Sequence, residues 1–169
     1  MARAGKISGI ETKAWPIHGT CVAIAGRGVL IRGRSGAGKS DLALRLIAEG
    51  ARLVADDQVL VSAIDGRLVA RAPEPIRGLI EVRGIGLVPA PATASVRLSL
   101  IVDLVAARAV PRLPEPRSAR IAGLDISLAT LAPFEASAAI KVRLALRFGA
   151  GSIGAARRAR PRARRTSRS

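Results

Sequence analysis

A chain of 169 residues has the length of one domain, since single domains commonly run to about 100–200 residues. Hydrophobic residues make up 49% of it, too large a share for a chain disordered throughout. The 28 Lys and Arg against 12 Asp and Glu give a net charge of +16, which points first to a nucleic-acid binder. Ten of those charges, however, lie after Glu135, where no acidic residue follows, and residues 1–135 carry only +6. With Trp15, Phe134 and Phe148 as its only aromatics, the chain cannot assemble the stacking platforms of single-strand and RNA-recognition modules, and a nucleic-acid partner is not expected. The single Cys21 excludes an intramolecular disulfide and a cysteine-cluster metal site, and it fits a reducing compartment. Residues 1–15 lack an apolar signal-peptide core, and no segment approaches the roughly 20 uncharged residues of a membrane span. A cytoplasmic protein without membrane contact is therefore expected.

In chain order, residues 1–13 mix Gly, Ser and charges and read as a loosely held N-terminus. Residues 20–24 and 28–32 are short β-branched runs separated by Ala25-Gly26-Arg27, which predicts a hairpin as the first pair of strands. A glycine-spaced loop follows at residues 33–40. Residues 41–49 then place Leu42, Leu46 and Ile47 at helical spacing, with Gly50 as a stop. Residues 52–55 form a brief apolar strand ending on Asp56-Asp57. Residues 58–63 and 67–72 are extended segments around an Asp65-Gly66 turn. Beyond the break at residues 73–75, strands are predicted at 79–83 and 96–104, with residues 84–86 as a flexible joint. Pro111, Pro114 and Pro116 enforce a loop. A strand with a Gly123-Leu124-Asp125 bend is predicted over 121–128, and a helix over 133–146 with Phe134, Ala138 and Val142 at i, i+4 and i+8. Residues 149–169 are Gly, Ala, Ser and Arg and read as a disordered basic tail. The domain proper is thus residues 14–148, of α/β class.

The run Gly33-Arg34-Ser35-Gly36-Ala37-Gly38-Lys39-Ser40 satisfies G-x-x-x-x-G-K-[ST] and stands between the predicted strand and helix that this motif requires. Gly36 and Gly38 let the backbone wrap a phosphate without Cβ interference. The loop N–H groups and the helix terminus supply an anion cradle. Lys39 would neutralise the β- and γ-phosphates of ATP, and the Ser40 hydroxyl would ligate Mg²⁺. Such a loop needs a carboxylate for the metal, and Asp56-Asp57 stands at the end of the next strand, where an open α/β sheet gathers its ligand groups. One of the pair would contact an acceptor hydroxyl as base or reach Mg²⁺. Neither its surroundings in sequence nor its chemistry singles out His18, the only histidine, or Glu81 in Ile80-Glu81-Val82-Arg83-Gly84, which as a strand Glu–Arg pair would mean little.

Taken in order, His18-Gly19, Gly28-Val29-Leu30-Ile31 into the loop, Arg52-Leu53-Val54-Ala55-Asp56-Asp57 and Ile80-Glu81-Val82-Arg83-Gly84-Ile85-Gly86-Leu87 resemble the catalytic domain of HPr kinase/phosphorylase. That family phosphorylates a serine of HPr, the phosphocarrier of the sugar phosphotransferase system. The resemblance runs from His18 to Leu146 and is close as far as Val88. It implies a phosphoenolpyruvate carboxykinase-like P-loop fold with a mixed sheet, use of ATP and Mg²⁺, and assembly into hexamers. Carried over by position, it makes Lys39 and Ser40 the ATP and Mg²⁺ residues and Asp57 the general base, with Asp56 beside the metal. It further makes Glu81 a metal ligand, His18 catalytic, and Arg112 in Pro111-Arg112-Leu113-Pro114 the catalytic arginine. Longer members carry an additional N-terminal domain, so the chain looks like the short form. Residues 140–148 show no counterpart of the segment associated with dephosphorylation, so kinase action transfers better than phosphorolysis. Two other functions stay open on the residues alone: a different small P-loop kinase or NTPase, and a non-catalytic nucleotide-binding module whose basic tail reaches nucleic acid or an acidic partner.

Overall fold

Residues 13–151 are described by the structure, a computed structural model. The strands are β1 (Ala14–His18), β2 (Thr20–Ile24), β3 (Arg27–Arg32), β4 (Arg52–Ala55), β5 (Gln58–Ile64), β6 (Arg67–Arg71), β7 (Leu79–Val82), β8 (Gly86–Pro89), β9 (Ser95–Leu104), β10 (Arg117–Ile121) and β11 (Leu124–Leu131). The helices are α1 (Lys39–Ala48) and α2 (Ala138–Phe148), with single 3-10 turns at Glu74–Ile76 and Ala107–Ala109. Nine strands form one sheet in the order β1-β5-β6-β9-β3-β2-β4, with β11 and then β10 attached to β9, while β7 and β8 pair only with each other.

The ten-residue strand β9 organises this sheet. Its start, Ser95 to Arg97, pairs antiparallel with β6. Its remainder pairs parallel with β3 and with β11. Because one strand changes partners along its length, the antiparallel β1-β5-β6 section and the section in which β9 runs parallel to both β3 and β11 join into a single curled, mixed sheet. At the end of β3, Arg32 donates to both carboxylate oxygens of Asp103 on β9, at 2.8 and 2.9 Å, which pins these strands in register beside the loop that follows.

The central strands are apolar and buried through their middles, at residues 21–24, 29–31 and 100–102, because both faces of the sheet are covered there. Successive side chains point to opposite faces, and alternate residues enter two separate cores. Val22, Val29, Ile31, Leu100 and Val102 pack with Leu42, Leu46 and Val142 of the two helices. Cys21, Leu30, Val54 and Ile101 pack on the other side with Val59, Val61, Leu68 and Ile126. In α1 the buried positions are Lys39, Leu42, Ala43 and Leu46, one helical face against the sheet.

The hairpin of β2 and β3, helix α1, strand β4 and the hairpin at Asp65-Gly66 form as their local patterns predict. Four expectations are corrected. The first strand is β1, so His18 ends a strand instead of preceding one; Pro16 had obscured it, but β1 lies at the sheet edge, where a missing N–H is tolerated. Residues 84–86, read as a flexible joint, belong instead to a β7-β8 hairpin: residues 83–85 make its turn, and Gly86 opens β8, which extends to Pro89. The predicted strand over 121–128 is two strands, because Ala122 and Gly123, with φ of 48° and 79°, make a tight reversal in which β10 folds onto β11. Helix α2 starts at Ala138, leaving Phe134 outside it and 72% exposed, so the i, i+4, i+8 spacing holds only for Ala138 and Val142. Of the loosely held N-terminus and the basic tail, all but Lys13 and residues 149–151 lie outside the described residues.

The closeness of β3 to β9 yields a prediction. A Cβ at Gly28 would lie 2.8 Å from the Arg97 carbonyl oxygen and 2.6 Å from Val96. Gly28→Ala is expected to lower unfolding free energy by about 1–3 kcal/mol in chemical denaturation, the usual cost of overpacking. Gly66→Ala, whose Cβ would meet no atom within 4 Å, should show only the smaller cost of an L-residue at positive φ.

Candidate active site

Strand β3 runs into residues 33–40, and α1 begins at Lys39. Gly38, with φ of 94°, holds the position before the helix in a conformation that side chains rarely adopt; a Cβ there would also lie 2.9 Å from the Phe134 ring and 3.1 Å from Pro133. No side chain caps α1, so its first N–H groups face the loop's own concavity. Lys39 is only 7% exposed. Its Nζ donates to the carbonyl oxygens of Gly33 and Arg34 at 3.0 and 2.8 Å, which folds the ammonium back across the loop.

The two aspartates after β4 diverge, and the divergence separates their chemistry. Asp56 is buried. Its Oδ1 accepts from the hydroxyls of Thr20 and Ser40, each at 2.8 Å, and its Oδ2 accepts the Glu81 N–H at 2.9 Å. This carboxylate therefore ties together β2, α1 and β7, and all buried side-chain polar atoms among the described residues have a partner. Asp57 faces outward with its side chain 79% exposed and its backbone at φ 66°, a conformation aspartate tolerates better than most residues. Its Oδ1 stands 3.5 Å from His18 Nδ1. Its carbonyl accepts the Gly19 N–H at 3.1 Å. The β1-β5 register, which sets His18 opposite Gln58, is what brings residues 18 and 57 together. Gly19 is required at this junction because a Cβ would approach the Ile31 carbonyl oxygen to 2.7 Å.

His18, Ser35, Gly36, Gly38, Lys39, Ser40, Asp56, Asp57 and Glu81 thus line one cavity of about 390 Å³. Gly33 lies at the base of the loop beside Leu104, and Arg34 and Ala37 face a different cavity. Arg112 is exposed in the loop before β10 and lines neither cavity, so the chain does not bring it to the others. The Glu81 side chain makes no ion pair among the described residues, which removes its reading as half of a strand pair with Arg83. Three residues of the site escape a reading of the sequence. Thr20 holds Asp56 but is one threonine in an apolar strand until β2 pairs with β4. Arg83 lines the cavity over Gly36, where a Cβ would come 3.9 Å from its guanidinium. Phe134 closes the cavity against Gly38.

Among the described residues no three His, Cys, Asp or Glu side chains gather to enclose a metal ion. What the site offers is the Ser40 hydroxyl bonded to Asp56, with Glu81 on the same cavity. That donor set fits Mg²⁺, which is commonly held by one or two carboxylates together with water and substrate phosphates. Cys21 takes no part: it is wholly buried, and burial pushes its thiol well above the ordinary range.

Thr20 is fully buried, so Thr20→Val should leave the Asp56 carboxylate short of one donor at nearly constant volume. A loss of about 1–3 kcal/mol in unfolding free energy is expected by chemical denaturation, with the far-ultraviolet circular dichroism of the native protein unchanged.

Comparison with known proteins places this geometry. A family model described as the HPr Serine kinase C-terminal domain matches residues 11–112. The HPr kinase/phosphorylase of Clostridium beijerinckii is 50% identical over 72 residues, which cover 43% of this chain and 24% of that protein. That of Thermoanaerobacter sp. is 50% identical over 93 residues, covering 53% and 30%. The chain therefore spans about a quarter to three tenths of the length of these curated relatives. Among solved structures, the Hpr(Ser) kinase/phosphatase from Coxiella burnetii superposes with a TM-score of 0.71 at 24% identity, over 79% of this chain and 94% of that one, which establishes the likeness of fold.

Proposed function

The chain belongs to the HPr Serine kinase C-terminal domain family, and on that premise we propose that it is an ATP- and Mg²⁺-dependent protein-serine kinase acting on HPr or a related phosphocarrier. One observation carries the reading: an exposed Asp57–His18 pair opens onto the same cavity as the loop lysine and the Ser40–Asp56 link. A hydroxyl acceptor entering from solvent meets Asp57 first.

In this reading residues 33–40 are a nucleotide phosphate loop of the phosphoenolpyruvate carboxykinase-like kind. Asp57 accepts the proton of the substrate serine as its oxygen forms a bond to the γ-phosphorus, and the bond from that phosphorus to the departing nucleotide oxygen breaks. His18, 3.5 Å away, holds Asp57 toward the acceptor and, when protonated, offsets its charge. Lys39 leaves the Gly33 and Arg34 carbonyls for the phosphates, since a charged acceptor binds the ammonium more strongly than a carbonyl does. Arg83 adds a second cation above Gly36. Catalysis of this kind is largely positioning plus electrostatic stabilisation of the transferring group. Mg²⁺, when bound, neutralises phosphate charge, and Ser40 and Asp56 would hold it, with Glu81 as a further candidate ligand. Asp56 is too enclosed by three donors to meet a protein substrate, which leaves the base role to Asp57.

Incubation of the chain with labelled ATP, Mg²⁺ and purified HPr should yield phosphoserine on HPr, identified by mass spectrometry. Asp57→Asn should bind ATP within about twofold of the parent and transfer phosphate about 10²–10⁴-fold more slowly, the usual contribution of a general base. Full transfer by that variant would remove Asp57 from the role.

A further inference from the structure

Two cavities adjoin residues 33–40: the one that holds Asp57, and an apolar one between residues 104–107 and 132–135. A further cavity, of about 290 Å³, lies at the opposite end of β3 and β9, where the phosphotransfer chemistry does not reach. At about 3.3 Å of rise per residue, Arg27 at the start of β3 is about 16 Å from Arg32 at its end, beside the loop. Arg27, Arg67 and Arg97 line this cavity, one from each of β3, β6 and β9, together with Ser99 of β9 and Ser127 of β11.

Strand register brings these residues together. Val69 of β6 stands opposite Arg97 of β9, and Arg67 is two positions before Val69, so Arg67 and Arg97 leave the sheet on one face. Ser99, two positions after Arg97, shares that face. Gly28 is in register with Leu98, which brings the preceding Arg27 level with Arg97. The absence of a Cβ at Gly28 is what lets β3 approach the Arg97 carbonyl this closely. β6 pairs with β9 no further than Arg97, and β11 pairs with it only from Ile101, so the cavity opens where β9 exchanges one partner for the other. Gly66 before β6 and residues 124–127 of β11 complete the wall.

The charges here are unbalanced. All three arginines are exposed, and none makes a hydrogen bond or ion pair among the described residues. Elsewhere on the chain Arg32, Arg45, Arg77, Arg120 and Arg143 each hold a carboxylate. Asp125 is the one carboxylate on the cavity wall, and Arg120, from outside the cavity, engages it at 3.3 Å. Like charges side by side on neighbouring strands repel, and a cleft lined by one sign of charge concentrates its field on counter-ions. The Ser99 and Ser127 hydroxyls, also without a partner among the described residues, add neutral donors.

We infer that this cavity binds a small phosphate monoester. Guanidinium forks match the oxygens of a phosphate two at a time, and hydroxyls donate to the same oxygens. A dianion offsets most of the charge that three arginines impose, where chloride or a monocarboxylate offsets less. The cavity is larger than a phosphate group alone needs and leaves room for an organic remainder of a few carbons. No aromatic side chain lines it, and Leu68, Leu98 and Ile126 beneath it are buried in the core, so it offers no flat face to a base. The site thus differs in chemistry as well as in place from residues 33–40, and it does not depend on what those residues bind.

Phenylglyoxal condenses with accessible guanidinium groups, and peptide mass spectrometry reads the reaction arginine by arginine. Glycerol 3-phosphate, inorganic phosphate, citrate and chloride are the separate probes, on the full chain at constant ionic strength. Saturating glycerol 3-phosphate should slow modification of Arg27, Arg67 and Arg97 about tenfold or more, and that of Arg71 and Arg117, exposed outside the cavity, by less than about twofold. Inorganic phosphate should protect the same three at higher concentration. In Arg97→Gln, half-protection of Arg27 and Arg67 should need about tenfold or more glycerol 3-phosphate, and in Arg71→Gln an amount within about twofold of the parent's. Protection by citrate at concentrations as low as by either phosphate would overturn the phosphate assignment. Equal slowing by chloride, no slowing, or slowing confined to Arg34 and Arg83 beside the glycine loop would overturn the site.

Discussion

One carboxylate holds the site together. Asp56 sits just past the end of β4 and receives hydroxyls from β2 and α1 and an N–H from β7. Hydrogen bonds to an ionised group are worth about 1.5–3 kcal/mol each, roughly twice the neutral kind. A charge this enclosed is costly without such partners, so the elements around it are constrained to arrive together. The start of α1 is thereby fixed relative to the sheet, and with it the lysine and the glycine loop. β7 is fixed as well, which places Glu81 and Arg83 over the same cavity.

Asp57 can be exposed because Asp56 is not. Adjacent residues in an extended strand face opposite ways, but here the strand has ended at Ala55 and Asp57 turns into positive φ. The structural duty therefore falls on one aspartate, and the neighbour is left accessible beside His18. Two carboxylates of the same sequence motif thus acquire different roles from their surroundings, as burial and partner choice dictate.

Local patterns reveal much of this in the chain itself. Glycine spacing, the strand before it and the helical period after it define the glycine-spaced loop at residues 33–40. The turn residues at Ala25-Gly26 and Asp65-Gly66 define two hairpins. Where local patterns mislead, tertiary pairing overrides them. β1 hides behind Pro16 and exists because β5 offers it an edge. The hairpin of β10 and β11 reads as one bent strand, because Ala122 at positive φ is not an evident turn residue. Phe134 reads as a helix face residue, yet its segment stays outside α2, held to α1 by Arg45 instead.

The sequence by itself determined the α/β class, the strand-loop-helix unit and the identities of the candidate groups at 39, 40, 56 and 57, because each depends on residues within a few positions of one another. Tertiary structure alone decided which aspartate is buried, that Thr20 supports it, that His18 reaches Asp57 and that Arg112 stays apart. It alone also revealed a second, apolar cavity behind the loop, bounded by segments before α2 and after β9 that are separated from the loop by some seventy to a hundred residues of chain. The physical reason is common to all of these: strand register and sheet order are set by the fit of two cores across the whole chain, and no local periodicity encodes them.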